Sequence, residues 1–194
     1  MRVDDLAAVV DLQVAFLVGS LVTELGAAFV TAFYRVALPH HSTRAFVAAD
    51  GDAIVGAAFA TVDVARFDAH VKPRILLPLA AALAPPARWR LLKPLTTSLV
   101  ERGPGHAIPA ELLTLVVDGR QRQRGIGRSL LDALEHRLAC EGIGEYRVAV
   151  RSQLDVARAF YQATGFVFEQ ELMVLARPMT YLTKRVPAAI PQPR

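Results

Sequence analysis

The amino-acid sequence predicts an α+β fold, and three observations predict it. Apolar residues recur at helical spacing through the first 37 positions. An Asp50-Gly51-Asp52 turn then separates two apolar runs, the pattern of a β-hairpin. Further on, a strand–turn–helix stretch at Glu111–Ala139 is followed by a second strand and helix from Tyr146 to Tyr161. At 194 residues one domain is expected, spanning 1–186 with an insertion at 65–109 and a disordered tail at 187–194.

The elements follow in chain order. Met1–Val3 reads as a remnant strand, and Asp4 or Asp5 as the N-cap of a helix whose apolar positions are Leu6, Val9, Val10, Gln13 or Val14, and Leu17. Gly19-Ser20 breaks it. A second helix runs from Leu21 to about Ala37 and ends before Pro39. The hairpin strands are Thr43–Ala49 and Ala53–Val62. Prolines 73, 78, 85, 86, 94, 104 and 109 interrupt the next segment, leaving short helices at Ile75–Leu83 and Trp89–Val100. Glu111–Val117 reads as a buried strand, and Leu130, Leu131, Leu134 and Leu138 mark a helix that Gly142 and Gly144 end. Tyr146–Arg151 alternates as a strand, Asp155–Tyr161 is helical, Gly165 closes it before Phe166–Phe168, and Glu171–Val186 is a final strand pair.

Composition excludes several function classes. A single cysteine, Cys140, rules out a disulfide framework and any cysteine-based metal site. The five histidines lack ligand spacing, and His40-His41 would point apart on an extended chain, so no metal is expected. Asp4 and Asp5 stand where a signal peptide carries basic residues. Asp11, Gln13 and Glu24 argue against a transmembrane segment in the apolar Leu6–Val30 stretch, and a cytoplasmic location is expected. The net charge of +4 favours anionic partners, with Arg120, Arg122, Arg124 and Arg128 forming a local cluster. Nucleic acid is not expected, because no aromatic interleaving or recognition motif accompanies these arginines. A solvated loop is the bland account of the cluster.

The glycines beside the cluster favour phosphate. Strand, glycine turn and helix start together present successive backbone N–H groups at the positive end of a helix dipole. A P-loop would need a Lys-Ser or Lys-Thr after its last glycine, and none is present. A dinucleotide fingerprint would need a third glycine where Leu130 stands. A third pattern, [RQ]-x-x-G-x-[GA], is met by Arg122-Gln123-Arg124-Gly125-Ile126-Gly127.

With Leu115-x-Val117 before it, this stretch resembles the acyl-CoA loop of the GCN5-related N-acetyltransferase (GNAT) superfamily. A second motif of that family, N-x-x-A-x-x-x-Y-x-x-x-G-F, has its counterpart in Ala157, Tyr161, Gly165 and Phe166, with Leu154 in place of the asparagine. The resemblance covers Glu111–Glu169 well, Leu6–Val62 loosely and Ala65–Pro109 not at all. It implies an α/β/α sandwich: a mixed, mostly antiparallel central sheet, splayed at the acyl-CoA strand, with helices on both faces.

The resemblance also implies the chemistry. Acetyl-CoA is the co-substrate, its pyrophosphate held by the N–H groups of Gln123 to Arg128, with Arg122, Ile126, Gly127, Ser129 and Arg158 among the coenzyme contacts. Leu115 and Val116 line the pantetheine, and the Val117 N–H polarises the thioester carbonyl. Tyr161 is the general acid for the leaving thiolate, since a phenol stays protonated at neutral pH; a packed structural tyrosine is the alternative. Glu111 is the candidate base for the acceptor ammonium, or else a solvated strand-start residue, and His106 is the next candidate. The expected acceptor is a primary amine of a small molecule. A protein lysine or N-terminus is the alternative, and a non-catalytic acyl-CoA-binding module the second. The insertion would lie over the acceptor side or else form a packed cap without substrate contact, and its apolar surface also suits a homodimer interface or a shallow membrane contact.

Overall fold

The computed structural model describes residues 1–17, 19–86, 89, 108–174 and 177–187. The expected Trp89–Val100 helix beyond its first residue, His106 and the 188–194 part of the tail lie outside them. Helices α1 (Leu6–Phe16), α2 (Leu21–Glu24) and α3 (Ala27–Ala37) lead into the hairpin strands β1 (Thr43–Asp50) and β2 (Ala53–Thr61). Helices α4 (Val64–Arg74) and α5 (Leu76–Leu83) follow. Then come β3 (Glu111–Val117), α6 (Ile126–Cys140), β4 (Glu145–Arg151), α7 (Asp155–Ala163), β5 (Val167–Val174) and β6 (Arg177–Arg185). The six strands form one sheet in the order β1-β2-β3-β4-β6-β5, parallel only between β3 and β4.

Helices cover both faces. On one, Leu130, Leu131, Leu134 and Leu138 of α6 pack with Tyr146, Val148 and Val150 of β4 and with Tyr161 of α7. On the other, Val9, Val10, Val30, Tyr34, Phe67 and Val71 of α1, α3 and α4 pack on Ala57, Phe59 and Val116. Gln13 rather than Val14 is the buried position of α1, because the Tyr34 hydroxyl donates to Gln13 Oε1 at 2.6 Å and satisfies it; Val14 is 40% exposed.

Three expectations change. The Leu21–Ala37 helix is two helices, divided at Gly26, whose φ of +94° is open to glycine and strained for other residues. Helix α4 forms despite Pro73, which falls in the last turn, and Asp63 caps its start by accepting the Arg66 N–H at 3.0 Å. Met1–Val3 is not a strand, although the terminal ammonium donates to the Ala45 carbonyl at 3.2 Å.

The C-terminus of α6 is tied to β1 by charge. Arg44 donates through Nε and Nη2 to Glu141 at 2.7 Å each, and both side chains are about four-fifths buried. The Arg44 hydrogen bonds hold the Glu141 carboxyl below its ordinary range. A carboxyl depressed in the folded state stabilises above its unfolded pKa, and that gain disappears as pH falls through the folded value. Glu141→Gln is therefore expected to lose about 1 kcal/mol at pH 7, allowing for partial screening. Urea titrations should show the deficit shrinking below about pH 4.

Candidate active site

Strand β3 opens away from one neighbour while staying paired to the other. On the β2 side pairing continues to the end, with Gly56 opposite Val117 and the Asp118 N–H donating to the Val55 carbonyl at 2.9 Å. On the β4 side only Glu111 with Arg147 and Leu112 with Val148 are in register. A β-bulge accounts for the change: Ala60 faces Leu112 and Phe59 faces Thr114, so Leu113 is the extra residue. Leu113 packs into the α1–α3 core, and Thr114 lies against Tyr34 on that same face. Alternation resumes beyond the bulge. Because the Asp118 N–H aims at β2, the N–H groups of Leu115 and Val117 aim into the opening between β3 and β4.

The turn after β3 is fixed by Asp118, 7% exposed, which accepts the Arg120 N–H at 2.9 Å and Arg120 Nη2 at 2.8 Å. These bonds hold the Asp118 carboxyl below its ordinary range and neutralise Arg120. Arg124 bonds the Gln121 side chain, and Arg128 Nη2 reaches the Ala163 carbonyl at 3.1 Å, joining α6 to α7. Gln123 (φ +64°) and Gly125 (φ +80°) turn the chain into α6. Among the described residues, no N–H from Gln123 to Arg128 donates to a protein acceptor. Six bare donors at the N-terminus of a 15-residue helix fit a diphosphate.

The two motif glycines answer to different constraints. A Cβ on Gly125 would meet nothing, so its left-handed conformation is what selects glycine. A Cβ on Gly127 would stand 3.1 Å from Phe160 Cζ and 3.8 Å from Val117 Cγ2. The end of β3, the start of α6 and the inner face of α7 therefore converge at Gly127. Arg124, Ile126 and Ser129 instead line a cavity of about 420 Å³ with Ala48, Asp50 and Val55, on the hairpin side of the loop.

Tyr161 is 7% exposed, its ring centroid 5.1 Å from that of Phe166 and 5.3 Å from that of Phe160. Its hydroxyl bonds no described residue, and burial pushes its pKa up, so it is protonated across the physiological range. Arg158, on the same helix, is engaged by Asp155 at 2.7 Å. Leu154 is 41% exposed and supplies no side-chain cap to α7, a bond that asparagine would offer.

Glu111 is not a solvated strand-start residue. Arg147 Nε donates to its Oε2 at 2.8 Å, and burial raises its carboxyl pKa against the opposing pull of that guanidinium. His40 and His41 do not point apart: they sit in a turn with ring centroids 4.3 Å apart, and His70 stacks 4.6 Å from His40. Among the described residues no group of three or more His, Cys, Asp or Glu could hold a metal, and no helix is long and apolar enough to cross a membrane.

On the α1–α3 face, the connection from α1 to α2 spans the opening. Phe16 packs on Gly119, just past β3, where a Cβ would come 2.8 Å from its ring. Across the gap, the Gly19 carbonyl accepts from Arg151 Nη1 at 3.3 Å and Arg177 Nη1 at 2.8 Å, residues of β4 and β6. Sequence reasoning missed Phe16, Phe160, Arg151 and Arg177. Only Phe160 had a local signal, its place beside Tyr161 on the inner side of an amphipathic helix.

Known proteins bear on this architecture. The Escherichia coli ribosomal-protein-S18-alanine N-acetyltransferase superposes with a TM-score of 0.61 at 15% identity, over 97% of this chain and 92% of that one. A PaiA N-acetyltransferase from Thermoplasma acidophilum, solved with coenzyme A, gives 0.61 at 14% identity over 95% of each chain. An acetyltransferase from Thermus thermophilus gives 0.59 at 17% identity, over 95% of this chain and 93% of that one. No curated protein sequence matches the chain. These likenesses show the fold; the family model described as Acetyltransferase (GNAT) family matches residues 15–166, which carry the splayed strand, the bare N–H groups and both motifs. The chain is an acetyltransferase of the GNAT family.

Proposed function

We propose that the protein transfers the acetyl group of acetyl-CoA to a primary amine of a small molecule by direct attack. The observation that carries this reading is the parting of β3 from β4 beside the bare N–H groups of Gln123 to Arg128. A coenzyme whose pyrophosphate rests on those groups extends its pantetheine back along β3, past Val117 and then Leu115.

That direction refines the oxyanion donor. The thioester is the far end of the coenzyme arm, so the Leu115 N–H, farther from the loop, suits its carbonyl, and the Val117 N–H suits the neighbouring amide carbonyl. The two N–H groups are about 6.6 Å apart, two strand residues, a span an extended cysteamine arm matches. The Leu115 N–H then stabilises negative charge on the carbonyl oxygen as the amine nitrogen bonds to carbon. As the C–S bond breaks, Tyr161 gives its proton to the thiolate, and the second proton that the nitrogen sheds in becoming an amide restores the phenol. Glu111, raised in pKa by burial, takes the proton the ammonium loses. Its Cα lies about 13 Å along the strand from Leu115, so that proton passes through water.

A small-molecule acceptor is favoured over a protein chain because the α1–α2 connection bridges the opening on the acceptor face. Thiol release from acetyl-CoA, measured with a panel of small amines and with short peptides, tests the reading. Amine-dependent release is the expected result. Release with peptides alone would reassign the acceptor, and acetyl-CoA binding without release would place the acceptor outside both sets.

A further inference from the structure

Arg151 stands apart from the other buried and partly buried arginines compared with it. Tyr146, Val148 and Val150 belong to the α6-side core, so alternation turns Arg151 to the opposite, acceptor-side face. It is the last residue of β4, at the wide end of the opening. Its partners among the described residues are two neutral oxygens, the Gly19 carbonyl and Gln153 Oε1, each at a long 3.3 Å. Arg177 beside it is neutralised by Glu24 at 2.9 Å, Arg147 by Glu111 at 2.8 Å and Arg44 by Glu141 at 2.7 Å. A guanidinium has five donors in a fork that matches a carboxylate, and a partly buried one without a counter-charge is costly.

Resting on the reading that this opening receives an acceptor amine, we propose that Arg151 binds an anionic group of that acceptor, which makes the substrate an amine carrying a carboxylate. Arg177, itself bound to Glu24, donates to the Gly19 carbonyl and keeps it beside that subsite. The substrate's own carboxylate supplies the counter-charge that the fold omits, so recognition falls on KM more than on kcat.

The test compares matched amines. The proteinogenic amino acids and the ω-amino acids from glycine to 6-aminohexanoate are each assayed against the amine that lacks only the carboxylate. Wild type should favour the carboxylate-bearing member by about ten- to a hundred-fold in kcat/KM, mostly through KM. In Arg151→Met that preference should collapse towards unity, with Arg151→Lys intermediate. A purely structural latch would instead slow both members equally and leave the preference intact. Should Arg151→Met fail to melt cooperatively, the Arg151→Lys preference decides. Equal use of both members by wild type, a preference unchanged in the variants, or no turnover of any carboxylate-bearing amine overturns the proposal. Turnover of neutral amines in those cases leaves the acetyltransferase reading standing, whereas loss of acetyl-CoA binding in wild type would remove that reading instead.

Discussion

Gly125→Asp is expected to abolish measurable acetyl-CoA binding in a protein that still folds. Gly125 sits at φ +80° with open space where a side chain would begin, so the substitution meets no steric clash. Its left-handed conformation costs an L-residue about 1–2 kcal/mol, within the usual stability margin of roughly 5–15 kcal/mol. The damage is local and electrostatic. The new carboxylate would lie among the bare N–H groups of Gln123 to Arg128, compete for them and repel a diphosphate. Calorimetry should show affinity lowered at least about a hundred-fold, the loss of two or more charge-assisted hydrogen bonds. Gly125→Ala carries the strain without the charge and should retain binding within about ten-fold. Gly127→Val should also fail to bind, for a different reason: its side chain would wedge against Phe160 and part α6 from α7 where they flank the opening. Wild-type affinity in Gly125→Asp would mean that the phosphate lies elsewhere.

Tyr161→Phe is expected to cut kcat by roughly ten- to a thousand-fold, the range of acid–base groups, with acetyl-CoA affinity nearly unchanged. The hydroxyl bonds no described residue, while the ring packs against Phe160 and Phe166. Removing one oxygen therefore keeps the packing and deletes a hydroxyl that bonds no described residue. Stability should hold. The raised pKa adds a second expectation. Because burial pushes the phenol above its ordinary value near 10, wild-type kcat should show no falling limb from tyrosine ionisation below about pH 10. Unchanged turnover in Tyr161→Phe would reduce the residue to a packing role.

The parts of the site that are legible in the sequence are those set by local physics. Glycines 125 and 127, the leucine spacing of α6 and the Asp-Gly hairpin each act through neighbours a few residues away. What stays hidden depends on distant partners. The bulge at Leu113 leaves no mark on the Leu/Val run of β3, yet it turns the N–H groups of Leu115 and Val117 into the opening. Glu111 reads equally as a base or as a solvated strand-start residue until β4 brings Arg147 against it from 36 residues away. Strand β6 lies between β4 and β5, an order no local pattern encodes. The Leu21–Ala37 helix fails at Gly26 because helical spacing continues across a residue whose backbone does not. Helix α4 is masked in the sequence because Pro73 reads as a breaker, although the last turn of a helix tolerates it once the preceding hydrogen bonds are made.

The coenzyme seat can be read amide by amide. In a titration of the isotopically labelled protein with acetyl-CoA, followed through its backbone N–H resonances, the signals of Leu115, Val117 and Gln123 to Arg128 should move together and saturate at one equivalent. Perturbations confined to another surface, or none at one-to-one stoichiometry, would contradict a coenzyme laid along β3 with its diphosphate on the start of α6.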